Sequence, residues 1–200
     1  MSDALIVIDV QNDFCPGGAL AVPEGDTIVA GINRLMERFS AVILTQDWHP
    51  ADHLSFASQH QGLNPLETTD MPYGPQVLWP DHCVQGSVGA EFHPDLVTDR
   101  ADLIIRKGFR RQIDSYSAFF ENDQVTPTGL EGYLRSRELT ALTFVGLATD
   151  FCVNFSVQDA RRLGFEATVR TDLCRAIDLE GSLAAATQAM AKAGAHLSAA

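Results

Sequence analysis

The sequence predicts an α/β fold of three layers, α/β/α, with helices on both faces of a mostly parallel central sheet. Three observations carry this expectation. Short apolar runs recur at residues 4–8, 41–44 and 103–105, as in strands buried on both faces, and strand-like segments follow at 142–145 and 165–169. Segments with helical patterning lie between several of these runs. The alternation continues along the 200 residues with no repeat and no linker, so 1–200 reads as one domain.

Each element has its own justification. Ala4 to Ile8 is the first strand and ends at Asp9. Pro23, Gly25 and Asp26 punctuate, and Asp26 is expected to cap a helix whose apolar positions are Ile28, Ile32, Leu35, Met36 and Phe39. Ala41 to Leu44 is the second strand, leading to Thr45, Gln46 and Asp47. From about 47 to 101 periodicity is lost, yet this stretch holds both tryptophans and five of the six histidines. So long an irregular connection in a compact domain, with such a composition, reads as functional. Leu103 to Ile105 is a strand that runs into Arg106, Lys107 and Gly108. Residues 108–127 are irregular again, and 129–137 look helical. Leu142 to Val145 is a strand. Gly146 to Asp150 then turns into a helix from about 151 to 163, which Gly164 stops. Phe165 to Val169 is a further strand, and 180–193 is an Ala-rich helix. The chain ends soon after His196, so a last strand there would be short.

Composition excludes several function classes. Fourteen Lys and Arg against 26 Asp and Glu leave a net charge of −12, which excludes a general nucleic-acid binder and a polybasic grip on lipid. No apolar run approaches the ~20 residues of a membrane span. The N-terminus lacks the basic region of a signal peptide. Four scattered cysteines make no disulfide framework, so a reducing cytoplasm is expected. Without Cys-x-x-Cys a thiol oxidoreductase is disfavoured, and without a glycine fingerprint so is a nucleotide binder.

In parallel α/β sheets, functional groups gather at the carboxyl ends of strands. That rule sets Asp9, Asp47, Lys107 and Cys152 on one rim. Cys152 lies between a strand and a helix. The helix dipole and the backbone N–H groups there favour a thiolate and offer donors to an oxyanion. Cys15, Cys83 and Cys174 lack that setting and read as packing residues. No histidine neighbours Cys152 in sequence. Asp9, as proton acceptor, and Lys107, as a cation beside the thiol, are the available partners. Asp47 and His49, two apart in an extended chain, project to one side, with His53 and His82 further along. Carboxylate plus imidazole suits zinc, manganese or iron(II). Asp81 and Cys83 rank below His82 as ligands, and His60, His93 and His196 read as ordinary polar residues.

Together these residues carry a family resemblance. The segments Ile8–Gly18 (IDVQNDFCPGG), Gln46–Pro50 (QDWHP), Trp79–Val84 (WPDHCV), Lys107–Gly108, Asp114–Phe120 (DSYSAFF) and Gly146–Val153 (GLATDFCV) resemble, in order, those of the nicotinamidases (pyrazinamidases) of the isochorismatase-like cysteine hydrolase superfamily. The resemblance spans roughly 4–175. It implies the isochorismatase-like hydrolase fold and an Asp9–Lys107–Cys152 triad. It implies one divalent metal (zinc, iron or manganese) on Asp47, His49 and His82, with His53 or Ser55 as further members of its shell. It implies ring walls at Phe14 and Trp79, a cis peptide at Leu147–Ala148, and an oxyanion hole of the Ala148 and Cys152 amides. The implied reaction is hydrolysis of nicotinamide, a small neutral partner, to nicotinate and ammonia. A homo-oligomer is left open. Phe109 to Ile113, with two adjacent arginines, departs from the family pattern. The rival readings are another superfamily amidohydrolase, acting on ureido acids or isochorismate, and a non-catalytic zinc-binding module.

Overall fold

The structure is a computed structural model, and it describes residues 3–199. Its centre is a six-stranded sheet. The strands are β1 (Asp3–Ile8), β2 (Ala41–Asp47), β5 (Leu103–Lys107), β6 (Ala141–Leu147), β7 (Glu166–Arg175) and β8 (His196–Ser198), in spatial order β5-β2-β1-β6-β7-β8. All five strand pairings are parallel. A separate antiparallel hairpin joins β3 (Thr68–Met71) to β4 (Gly74–Val77).

Burial explains why β1 carries no polar alternation. Leu5 and Val7 face one core with Ile32, Leu35 and Met36 of α1 (Val29–Met36). Ala4, Ile6 and Ile8 face the other core. There they meet Leu130 and Leu134 of α2 (Leu130–Ser136), Val157 of α3 (Asn154–Arg162) and Met190 of α4 (Ser182–Lys192). A strand covered on both sides must be apolar on both, and this makes the three layers.

Local boundaries differ from the sequence expectation at several points. Asp26 does not cap α1. It lies inside a 3-10 turn (Gly25–Ile28), and α1 starts from Ile28 with no side-chain cap. The segment at 47–101 is irregular but tied down. His49 bridges to Val84 and Phe56 to Trp79, both in parallel sense. Cys152 belongs to a π-helical turn (Thr149–Val153) that precedes α3. The last strand is short, with three residues.

β1 lies between β2 on one side and β6 on the other, which is where the chain reverses its direction of travel across the sheet. A crevice opens at the carboxyl ends of the strands at such a switch point. Ile8 and Gly146 are register partners across it, and on the far side Asp47 pairs with Lys107. One rim therefore receives Asp9, Asp47, Lys107 and the turn that bears Cys152.

Candidate active site

Asp9 leaves β1 in the left-handed region, with φ +46°. Its N–H donates to Thr45 Oγ1 (3.1 Å), and the Thr45 hydroxyl donates back to Asp9 Oδ1 (2.6 Å). Such reciprocal bonding secures a backbone conformation that non-glycine residues seldom adopt.

Lys107 is 1% exposed and Asp9 0% exposed, so a fully buried ammonium meets a fully buried carboxylate. The Lys107 ammonium donates to Asp47, to the Ser115 carbonyl (2.9 Å) and to Cys152 Sγ (3.5 Å). Asp9 Oδ2 stands 2.8 Å from Nζ as an ion pair. The same carboxylate faces the Cys152 thiol. Asp9, Asp47 and Cys152 bring ligand atoms within 4.8 Å of one another.

Burial raises the Asp9 carboxyl to about 6; Lys107 pulls it down in part, and Asp47 adds to the rise. For Asp47 burial acts in the same upward direction, but Lys107 and then His49 outweigh it and hold the carboxyl well below its usual range. Burial pushes the Cys152 thiol well above its ordinary value, Lys107 offsets this only in part, and Asp9 and Asp47 raise it further. Burial and the two carboxylates thus favour the thiol form, whose proton Asp9 is expected to remove.

The three residues Asp47, His49 and His82 form a cluster whose ligand atoms lie within 4.8 Å of one another. His49 Nδ1 bonds the Gly108 carbonyl (2.8 Å), and His82 Nδ1 bonds the Pro80 carbonyl (2.8 Å). A carbonyl only accepts, so both Nδ1 atoms carry hydrogen. Both Nε2 atoms then face Asp47 Oδ2, at 3.6 Å and 3.9 Å. Two imidazole nitrogens and an ionised carboxylate oxygen converge, each ring locked by its far nitrogen. This donor set fits a divalent ion. The backbone of Asp47 is held by Gln11, which accepts from Asp47 N–H (2.8 Å) and donates to its carbonyl (2.9 Å).

His53 uses both ring nitrogens within the protein, towards Ser55 Oγ (2.7 Å) and the Ile113 carbonyl (3.1 Å). It groups with His49 and Asp114 rather than with the Asp47 cluster. His60 bonds the Leu54 carbonyl and His93 the Asp95 amide, so neither joins the site.

A narrow cavity opens onto Cys152. Phe14, Trp79, Asp47, His82 and Ala148 line it, as do Leu20, Asp114, Tyr116, Phe151 and Ile177. Phe14 meets the His82 ring edge-on, with centroids 5.4 Å apart. The Leu147–Ala148 peptide is cis. No arginine lines this cavity. Arg110 pairs instead with Glu121 and Arg111 with Asp52 (2.6 Å). A larger groove along Phe155, Gln158 and Arg162 gathers neither a thiol nor an imidazole, so size alone does not mark the site.

Sequence reasoning assigned no role to Gln11, Asp114, Tyr116 or Phe151. Asp114 and Tyr116 fall in a short run of polar and aromatic residues soon after Lys107, and that density was the available signal.

Comparison with known proteins agrees with this geometry. An isochorismatase-domain family model matches residues 3–200. A nicotinamidase of Acinetobacter baylyi is 55% identical over 191 residues, which cover 96% of this chain and 89% of the relative. A solved Acinetobacter baumanii nicotinamidase/pyrazinamidase has a TM-score of 0.97 at 54% identity, covering 98% of this chain and 95% of that one. A pyrazinamidase of Pyrococcus horikoshii, solved in complex with zinc, has a TM-score of 0.79 at 34% identity, covering 99% of both chains. The sheet order, the strand-end cluster and these matches lead to one conclusion: the chain belongs to the isochorismatase family.

Proposed function

We propose that this chain hydrolyses nicotinamide to nicotinate and ammonia through a thioester on Cys152. The observation that carries the reading is a buried thiol beside a carboxylate–ammonium pair, at the end of an aromatic cavity that a metal-ligand cluster also lines. The names of its near relatives, nicotinamidase and pyrazinamidase, support the same substrate class and extend it to pyrazinamide. The chain acts as one domain, with 47–101 supplying metal and substrate contacts, and it works in the cytoplasm.

Asp47, His49 and His82 would hold the divalent ion, and zinc is favoured by the zinc-bound pyrazinamidase. Bound there, the ion would supply a Lewis acid for a ring nitrogen of the substrate. Phe14 and Trp79 flank the ring, which brings the carboxamide carbon to Cys152 Sγ; orientation of this kind removes much of a barrier. Asp9 takes the thiol proton, and Lys107 stabilises the resulting sulfur anion. Sγ bonds to the carbonyl carbon. The oxyanion accepts hydrogen bonds from the Ala148 and Cys152 amides. Asp9 returns the proton to the amide nitrogen, the C–N bond breaks and ammonia leaves. Water, deprotonated by Asp9, then attacks the thioester, and nicotinate departs as the thiol is restored.

Ammonia release from a small panel of amides, with and without chelator, tests the reading. Nicotinamide and pyrazinamide are expected to react and ureido acids not. Chelation is expected to suppress the rate and added zinc to restore it. Full turnover by metal-free protein would remove the ion's role, and no turnover by metal-loaded protein would remove the function.

A further inference from the structure

The β3–β4 hairpin stands apart from the main sheet, and only one of its eight strand residues is buried. That residue is Gln76, 1% exposed. A buried amide is costly unless it is fully hydrogen-bonded, so a glutamine where an apolar side chain would fill the space needs a reason.

Its partners supply one. Gln76 Nε2 donates towards the Val77 carbonyl (2.8 Å), Asp114 Oδ2 (3.0 Å) and the Tyr116 hydroxyl (2.8 Å). Its Oε1 accepts from the Tyr73 hydroxyl (3.1 Å) and Asn122 Nδ2 (3.1 Å). A flipped amide would set Oε1 against the Val77 carbonyl and the Asp114 carboxylate, so the orientation is determined. Trp79 Nε1 donates to the same Tyr116 hydroxyl (3.1 Å). Tyr116 and Trp79, with ring centroids 6.2 Å apart, are both walls of the cavity above Cys152. Asn122 Oδ1 accepts the Tyr116 backbone N–H (3.0 Å), so a Gln76 partner also holds this residue's main chain.

We infer that Gln76 is a positioning residue for the substrate: through the Tyr116 hydroxyl it holds Tyr116 and Trp79 in the shape that receives the aromatic ring. Gln76 itself does not line the cavity. It acts from behind the wall and ties the hairpin to substrate affinity rather than to the chemical step. The inference rests on the reading of this site as a nicotinamide-hydrolysing one.

Steady-state kinetics on nicotinamide, for wild type, Gln76→Leu, Tyr116→Phe and the double variant, test it, with thermal unfolding of the same preparations. Gln76→Leu is expected to raise KM about tenfold, the scale of a lost hydrogen bond or two, with kcat changed by less than about threefold. Tyr116→Phe is expected to raise KM too, and the double variant no further than the worse single, because both changes break one linkage. An unchanged KM in Gln76→Leu, even with a lowered Tm, would overturn the inference, as would KM increments that multiply in the double variant. If Gln76→Leu does not fold, Gln76→Met keeps the length, can neither donate to nor bond the Tyr116 hydroxyl, and is judged by the same criteria. Wild-type ammonia release separates the two levels of argument. Without it the functional reading and this inference fall together; with it, an unmoved KM removes the role of Gln76 alone.

Discussion

Asp9 and Lys107 show why buried charge at this rim has chemical meaning. Burial raises Asp9 to about 6, although the Lys107 ammonium stands 2.8 Å from its Oδ2. Such a carboxylate is basic enough to take a proton near neutrality and acidic enough to return it. The base must be ionised, so activity is present above this value and lost as pH falls through it. A pH–rate profile of kcat/KM is expected to show an acid limb near about 6; a flat profile from about pH 7 down to about 5 would contradict the role of Asp9. Lys107 is the counter-charge for two buried carboxylates. Lys107→Met leaves both unpaired, and removing one partner of a buried pair costs about 3–5 kcal/mol. Urea unfolding should show that loss as a lowered midpoint, and turnover should fall with it. At this scale the strand-end rule set Asp9, Asp47, Lys107 and Cys152 on one rim, and the structure brings the four together there. The rise of the thiol above its ordinary value was not legible, because desolvation is set by the whole surrounding fold and no neighbouring residue encodes it.

Strands and turns deliver these side chains, and glycine permits the close approaches. Gly108 follows β5 with φ +65°, and its carbonyl accepts from His49. A Cβ at this position would run into the His49 imidazole. Gly108→Ala is therefore expected to displace a metal ligand as well as to strain the backbone. Metal analysis of the purified variant should find markedly less bound zinc than in wild type; a full complement of metal would show that His49 does not need this approach. The strand–helix alternation was legible because strands covered on both faces have to be continuously apolar. The start of α1 was not: a 3-10 turn absorbs Asp26, and nothing in the local pattern separates that turn from a helix. The hairpin at 68–77 was equally hidden. Its exposed residues carry no apolar alternation, and Gln76 gains its importance from Asp114 and Tyr116, about forty positions away.

For the whole molecule, the sheet decides where chemistry can occur, and the irregular 47–101 segment decides which chemistry it is. Bridges such as His49–Val84 and Phe56–Trp79 set its register, and such long-range pairings leave no period in the sequence. No helix among the described residues is long and apolar enough to cross a membrane. The net charge of −12 is spread over a chain whose proposed substrate is neutral. Steering by the protein's field is then negligible, and kcat/KM is expected to stay within about twofold as salt is raised from roughly 20 to 500 mM. A steep fall with salt would indicate a charged substrate instead. All four cysteines are free and buried, so a covalent intermediate has three competing thiols against which its location can be judged. Mass spectrometry of the acid-quenched enzyme during turnover of nicotinamide is the most direct test. A nicotinoyl group on the peptide that carries Cys152, absent from Cys152→Ala, is the result expected; an adduct on Cys15, Cys83 or Cys174, or turnover retained by Cys152→Ala, would contradict the account.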